Sequence, residues 1–371
     1  MRAAPHAPAY VAAWVRPAQG SLQMNGRSAV GIKDLARHLK MSISTVSRAL
    51  NDRPDASSET REKVQKAAAE LGYFANHFGK SLRSGVTGSV GFVMQTSHSA
   101  TGQGDTFFMG VFDGMQSVLG RHQLDLIALL CPSTQDPSEY VRRIVSRGFV
   151  DGLIISHTRR VDPRISFLSA SGLPFVALGR SETDAGHSWI DVDFEDIARK
   201  SVERFIALGH RKIAVVVLRD VNFGRLFLDS AKRTLSQHGL QLSRDFVFRT
   251  AASDAAGYAV ARRMLAMPDR PTAIAVSNET MLSGLYRGLS EGGLLPGRDV
   301  AIIGRDSSST DILRPRLTSF HLSLRDLGVA LGEALLSAMP AYREHYGQGV
   351  VRRIFPTRLI QGDSDGFDCS P

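Results

Sequence analysis

Residues 32 to 51, IKDLARHLKMSISTVSRALN, restrict the fold of this chain more than any other stretch. Ile32, Leu35, Ala36 and Leu39 recur at spacings of three and four, one apolar face of a 3.6-period helix, while Lys33, Asp34, Arg37 and His38 fall outside it. A second short helix follows a tight turn, with Met41, Val46, Ala49 and Leu50 placed to close on that face and Ser42 as its N-cap. What remains outward is Ile43, Ser44, Thr45, Ser47, Arg48 and Asn51. Hydroxyl, guanidinium and amide groups in such a row suit phosphates and base edges in a major groove, the work of a helix-turn-helix. For Thr45 and Ser47 a local role competes, since hydroxyls in a helix often bond their own backbone.

Any soluble helical hairpin has an apolar face, so the assignment needs support from its surroundings. SSETREKVQKAAAELGY supplies a third helix, capped by Ser57, with Glu59 in the first turn, an apolar stripe at Val64, Ala67, Ala68 and Leu71, and Gly72 as stop signal. Three such helices bury one small core. The charge agrees: residues 32 to 84 hold ten Lys or Arg against six Asp or Glu, and residues 1 to 31 add three Arg and no acid. Most of the net +9 of the chain therefore lies in its first quarter, as an electrostatic footprint for nucleic acid requires.

At 371 residues and 43% hydrophobic side chains the chain is long enough for two or three domains with a sizeable core. Cys131 and Cys369 have no spacing for a metal or disulfide framework, which fits a reducing compartment. No cofactor motif stands out. The run APAYVAAWV follows a single Arg and is interrupted by Arg16 and Pro17, so it is a poor secretion signal, and no run reaches membrane-span length. The expected location is the cytoplasm, next to the nucleoid. Residues 1–30, rich in Ala, Pro and Gly, form a disordered extension in which Met24 is a candidate initiator.

Beyond Leu71 the texture changes. Residues 72 to 88, GYFANHFGKSLRSGVTG, combine basic and small residues around a short amphipathic element, a linker. From Ser89 apolar runs such as VGFVM, LDLIALL, GLIIS, PFVAL, KIAVVVL and AIAVS alternate with helical patterns. Repeated βα units imply parallel sheets covered by helices on both faces. A break around Asp184 to Ile190 divides them into two sub-domains facing each other across a cleft, with ligands expected beyond the carboxyl ends of the strands.

Taken in order, IKDLARHL, STVSRALN, SSETREKVQKAAAELGY, NHFGKSLRSG, GRLFLDSAKRTL, AIAVSNE and VAIIGRDS resemble the LacI/GalR family of bacterial transcription regulators over about residues 31 to 364. The resemblance implies a helix-turn-helix domain over 31–75, a hinge helix or linker over 76–88, a ligand-binding and dimerisation domain over 89–364 similar to type I periplasmic sugar-binding proteins, and a tail from 365 to 371. Ile43, Ser44 and Arg48 fall where the family reads base edges. Thr45, Ser47 and Asn51 fall at backbone-contacting or orienting positions. Leu82 matches the hinge leucine that the family wedges into the minor groove, where an apolar side chain unstacks a base step and kinks the duplex. Lys80 and Arg83 beside it meet phosphate or minor groove.

In the core the resemblance places Arg225, Asn278 and Asp306 at polar cleft positions and Phe107 and Phe108 where a cleft aromatic is common, with core packing the alternative for the phenylalanines; Arg180 and Asp193 are further candidates. Amide, carboxylate and guanidinium groups with an aromatic face suit a polyol, so a carbohydrate is the expected effector. The chain departs from the family pattern at several points. Lys40 stands where a turn Gly is common, and Gly79 replaces a hinge Ala, lowering helix propensity by up to about 1 kcal/mol. Glu279 replaces an Asp and Arg305 an aromatic, while Arg314 to Leu317 differs from a double-Pro stretch. Arg305 would favour a sugar acid or phosphosugar unless it pairs with an internal acid.

The tail lacks a leucine heptad, so a homodimer is expected rather than a tetramer built on a coiled coil. The function implied is binding of a palindromic double-stranded operator under control of a small-molecule effector, with repression as the family's habit. No catalytic residue, cofactor site or metal site is expected. The alternative is a sugar-binding solute receptor, which explains the core but leaves the basic helices without a task.

Overall fold

The computed structural model describes residues 30–50, 55–73, 86–96, 105–306 and 310–366. The expectations for Asn51, Lys80, Leu82 and Arg83, for Gly79 and for the N-terminal extension lie outside these residues. Two compact units are present, divided at Lys80.

The first unit contains α1 (Ile32–Leu39), α2 (Ile43–Leu50) and α3 (Ser58–Leu71). Their core is Leu35, Ala36, Val46, Ala49, Val64, Ala67 and Ala68, with Ile32, Leu39, Met41, Leu50 and Leu71 at its margin. Caps define several of the helix ends. Ser42 Oγ accepts from Thr45 N at 3.1 Å, Ser57 Oγ accepts from Thr60 N at 3.2 Å, and Gly72 ends α3 at φ 65°. Lys40 takes the left-handed conformation at the turn, φ 54°, so the turn survives without glycine at a cost of about 1 kcal/mol.

In the second unit two six-stranded sheets are built from βα units. The first comprises β1 (Ser89–Gln95), β2 (Asp125–Cys131), β3 (Gly152–Ile155), β4 (Phe175–Leu178), β5 (Ser188–Val192) and β11 (Arg352–Phe355). Its order is β11-β5-β4-β3-β1-β2, parallel throughout. The second comprises β6 (Ile213–Leu218), β7 (Val247–Thr250), β8 (Ala273–Val276), β9 (Ala301–Arg305), β10 (Thr318–His321) and β12 (Arg358–Ile360) in the order β12-β10-β9-β8-β6-β7, with only β12 antiparallel. Central strands such as β3, β6 and β8 are buried along their whole length, as a sheet covered on both faces requires.

On the first sheet, α4 (Asp105–Leu119) and α11 (Leu324–Ala338) share one face, while α5 (Pro137–Arg147) and α6 (Pro163–Ser171) pack on the other. The second sheet is covered by α7 (Phe194–Ala207) and α8 (Asn222–Gln237) on one side and α9 (Asp254–Leu265) and α10 (Leu282–Glu291) on the other.

Two expectations are corrected. The break near Asp184 to Ile190 is not where the halves divide, because β5 pairs with β4 through Val176, Ala177 and Leu178 and stays in the first sheet. The chain crosses after β5, returns after β10 to form α11 and β11, and crosses again to β12. The tail does not begin at residue 365: Asp365 is fully buried, accepting from Thr318 Oγ1 and pairing with Arg204, and Ser364 donates to Ile302 O at 2.6 Å. A carboxylate is buried only where partners satisfy it, so these residues belong to the fold.

The return of α11 depends on a close crossing with α4. A Cβ added at Gly114 would land on the carbonyl oxygen of Arg325, and one added at Gly328 on that of Val111. Neither backbone can yield without separating the helices. Gly114→Ala is therefore expected to destabilise the protein by about 1–3 kcal/mol. Urea unfolding checks this, and an unchanged midpoint would show that the helices are not held at this separation.

Candidate nucleic-acid interface and ligand cleft

On α2 the structure separates the expected DNA-facing residues by exposure. Ile43, 46% exposed, Ser44 and Arg48 face solvent, while Thr45 and Ser47 are half-buried. Thr45 shares a 2.8 Å hydrogen bond with Ser42 Oγ, so its hydroxyl belongs to the cap. Arg48 is held at both ends of its fork: Nη2 donates to Ser44 Oγ at 2.6 Å and Nη1 to Asp55 Oδ2 at 3.2 Å. These bonds hold a flexible guanidinium outward before any partner binds, which lowers the ordering cost of an encounter. Asp55 was not anticipated from sequence; its link to Arg48 spans seven residues and a turn, beyond the reach of helix periodicity.

In the second unit the carboxyl ends of both sheets open on one cavity of about 350 Å³. Gln95 ends β1 and Thr96 follows it, Ser156 to Thr158 follow β3, Asp191 and Val192 end β5, Asn278 to Thr280 follow β8 and Arg305 ends β9. Phe107, Phe108, Phe194 and Phe223 supply aromatic surface. A few polar groups within a mostly apolar wall, at strand ends, is the construction of a small-molecule site.

The loop after β3 is fixed by a buried clamp. Arg164 and Asp162 form a two-pronged pair, Nε to Oδ1 at 2.9 Å and Nη2 to Oδ2 at 2.7 Å. The same Nη2 donates to the carbonyls of Ser156 and His157 at 3.1 and 3.2 Å. This holds His157 at φ 53°, in the left-handed region that few non-glycine residues adopt. Its Nδ1 lies 3.2 Å from Ser156 Oγ, and its ring packs against Phe108. Burial, with the Arg164 charge adding to it, lowers the His157 pKa to about 4, so a neutral imidazole faces the cavity at pH 7.

Of the expected ligand residues, Phe107, Phe108 and Asn278 line the cavity. Phe108 also packs edge-on against Phe92 in the core, so it stands between core and cavity wall. Asn278 Oδ1 accepts from Thr280 N at 3.1 Å, capping the turn that follows. Arg180, Arg225 and Asp306 stand off the wall, the two arginines in ion pairs and Asp306 in a hydrogen bond with His321. Arg180 bonds Asp191 and Glu195, both at 2.8 Å. Arg225 reaches Glu182 and Asp229, both at 3.1 Å. Asp306 meets His321 at 2.8 Å. Asp193 caps α7, its carboxylate accepting from Asp196 N at 3.0 Å. Two of the core departures prove to be partners: Arg305 pairs with Glu279, both more than nine-tenths buried, and the guanidinium lies 4.7 Å over the Phe107 ring.

Sequence reasoning missed Ser156, His157 and Thr158. The signal available was their place directly after an apolar strand, where open α/β sheets bind ligands.

A helix-turn-helix and a two-sheet domain with a cavity at its strand ends define a DNA-binding regulator with a ligand-receiving core. Comparisons with known proteins agree. Residues 31–76 match the family described as bacterial regulatory proteins, lacI family, and residues 202–364 match a periplasmic binding protein-like domain. The chain is 32% identical to the HTH-type transcriptional regulator AglR of Rhizobium meliloti (strain 1021), covering 84% of this chain and 88% of that protein. It is 31% identical to the HTH-type transcriptional regulator RafR of Escherichia coli over 76% of this chain and 83% of that protein. A lac repressor dimer solved with operator and the anti-inducer ONPF superposes with a TM-score of 0.77 at 25% identity, covering 91% of this chain and 99% of that one. The chain belongs to the LacI family of transcription regulators, and its function is regulatory rather than enzymatic.

Acid titration tests the environment assigned to His157. With its folded pKa near 4 and its ordinary value 6.5, the unfolded chain binds the extra proton between these values, so stability rises with pH there. The contribution is fully present above about pH 6.5, is lost as pH falls to about 4, and amounts to at most about 3 kcal/mol. His157→Gln should flatten this part of the stability profile in urea unfolding; an unchanged slope would place the proton uptake elsewhere.

Proposed function

We propose that this chain binds a palindromic operator as a homodimer and represses transcription, its DNA affinity set by a polyhydroxylated small molecule, a sugar or sugar derivative, in the cleft. The working map follows the family: helix-turn-helix over 31–75, linker over 76–88, ligand-binding and dimerisation core from 89. Leu82, with Lys80 and Arg83, is assigned to the operator centre. The protein acts in the cytoplasm, at the nucleoid when bound to DNA.

The observation that carries the DNA assignment is the outward row Ile43, Ser44 and Arg48 on a capped helix, with the Arg48 fork held by Ser44 and Asp55. A guanidinium in this position suits the two acceptors of guanine, and an apolar Ile43 suits a thymine methyl. A sugar is supported by the mixture of aromatic and hydrogen-bonding groups on the cavity wall, and by the superposition of a CelR–cellobiose complex, 25% identical with a TM-score of 0.65 over 90% of this chain and 99% of that one. The ligand acts by binding the DNA-competent and incompetent states unequally.

Selection of bound duplexes from a random pool at moderate salt tests the reading, since phosphate contacts alone retain DNA at low ionic strength. A two-fold symmetric motif is expected. Arg48→Ala should weaken binding to that motif by about 1–3 kcal/mol while leaving ligand affinity unchanged. A pool without an enriched motif, from a protein that still binds sugar, would favour a solute-binding role.

A further inference from the structure

The cavity holds an ion pair that the mere presence of a sugar site does not call for. Arg305 and Glu279 are both more than nine-tenths buried, their charges meet on the cavity wall, and Phe107 covers the guanidinium. We infer that this pair sets the ligand selectivity of the cleft, admitting neutral polyhydroxylated ligands and rejecting uronic acids and phosphate esters. The inference rests on the proposed reading of the cavity as the effector site and specifies its ligand class.

Three charged side chains line the cavity among the described residues: Asp191, Glu279 and Arg305. Asp191 is paired with Arg180, which also serves Glu195. Arg225 is engaged by Glu182 and Asp229. His157 is neutral at physiological pH. Among the described residues, an anionic ligand thus meets no cation whose charge is uncompensated. To recruit Arg305 it would have to displace Glu279 and leave that carboxylate buried without a partner, which costs more than a new pair returns. A neutral ligand leaves the pair intact and uses what remains: hydroxyls and amides of Gln95, Ser156, Thr158 and Asn278, the His157 imidazole, and the aromatic faces.

The test is calorimetry on the full-length chain with a panel of neutral hexosides and disaccharides, each matched to its uronic acid or sugar phosphate. The wild type is expected to bind a neutral member and to bind its acidic counterpart about tenfold to a hundredfold more weakly. Glu279→Gln removes the carboxylate while keeping a hydrogen-bond acceptor for Arg305. It should shift the ratio toward the acid by about tenfold or more. Adding Arg305→Gln should abolish that gain, which a merely structural role for the pair would not explain. Equal or tighter binding of an acid by the wild type overturns the inference without any variant having to fold, as does an unchanged ratio in folded Glu279→Gln. A panel in which no neutral sugar binds overturns it too. Operator selection on the same preparation reads the regulator assignment separately.

Discussion

Everything the second unit can do depends on two mostly parallel sheets sharing three chain crossings. Parallel strands send all their carboxyl ends in one direction, and the crossings after β5, after β10 and after β11 bring the carboxyl ends of both sheets to one cavity. Loops at those ends are the part of such a fold free to vary without disturbing the strands, so recognition chemistry collects there. Central strands such as β3, β6 and β8 are occupied mostly by Val, Ile, Ala and Leu with almost no exposure. Where the chain has returned after β10, the glycine crossing of α4 and α11 lets one helix backbone lie on another.

Within that cavity, position in a family pattern determines where a side chain starts but not what it touches. Arg225 and Asp306 occupy expected places along the chain, yet their charged ends are taken by Glu182, Asp229 and His321. Arg305 and Glu279, which depart from the pattern, reach the wall and satisfy each other. An isolated buried charge is prohibitive, so two such substitutions persist together where either alone would not. The Arg164–Asp162 clamp shows the same economy of burial: a fully paired ion pair spends its remaining donor on two carbonyls and so fixes the backbone that presents His157.

The first unit was legible almost residue by residue. Its determinants are local: helix periodicity placed Leu35, Ala36, Val46 and Ala49 inside, and Ser42, Ser57 and Gly72 mark helix ends through bonds to residues within four positions. The alternation of strands and helices in the second unit was legible for the same reason. The division between halves was not, because β5 reads like any apolar strand, and its membership of the first sheet is decided by pairing with β4 and with β11, about 160 residues away. The burial of Asp365 depends on Thr318 and Arg204, and the orientation of Arg48 on Asp55, none of which leaves a periodic trace. Lys40 in a turn that favours glycine shows that a departure from pattern can cost energy without changing geometry.

The central claim is that occupancy of the cavity and reading of DNA are coupled in one molecule. Linkage makes that claim exact: if a ligand changes operator affinity by some factor, operator must change ligand affinity by the same factor. The decisive measurement is therefore reciprocal, operator affinity by fluorescence anisotropy with the cavity empty and saturated by a neutral sugar, and sugar affinity by calorimetry with and without operator. The account predicts equal factors of at least about fivefold, in either direction. Affinities that are independent of one another, with both ligands bound at once, would contradict it.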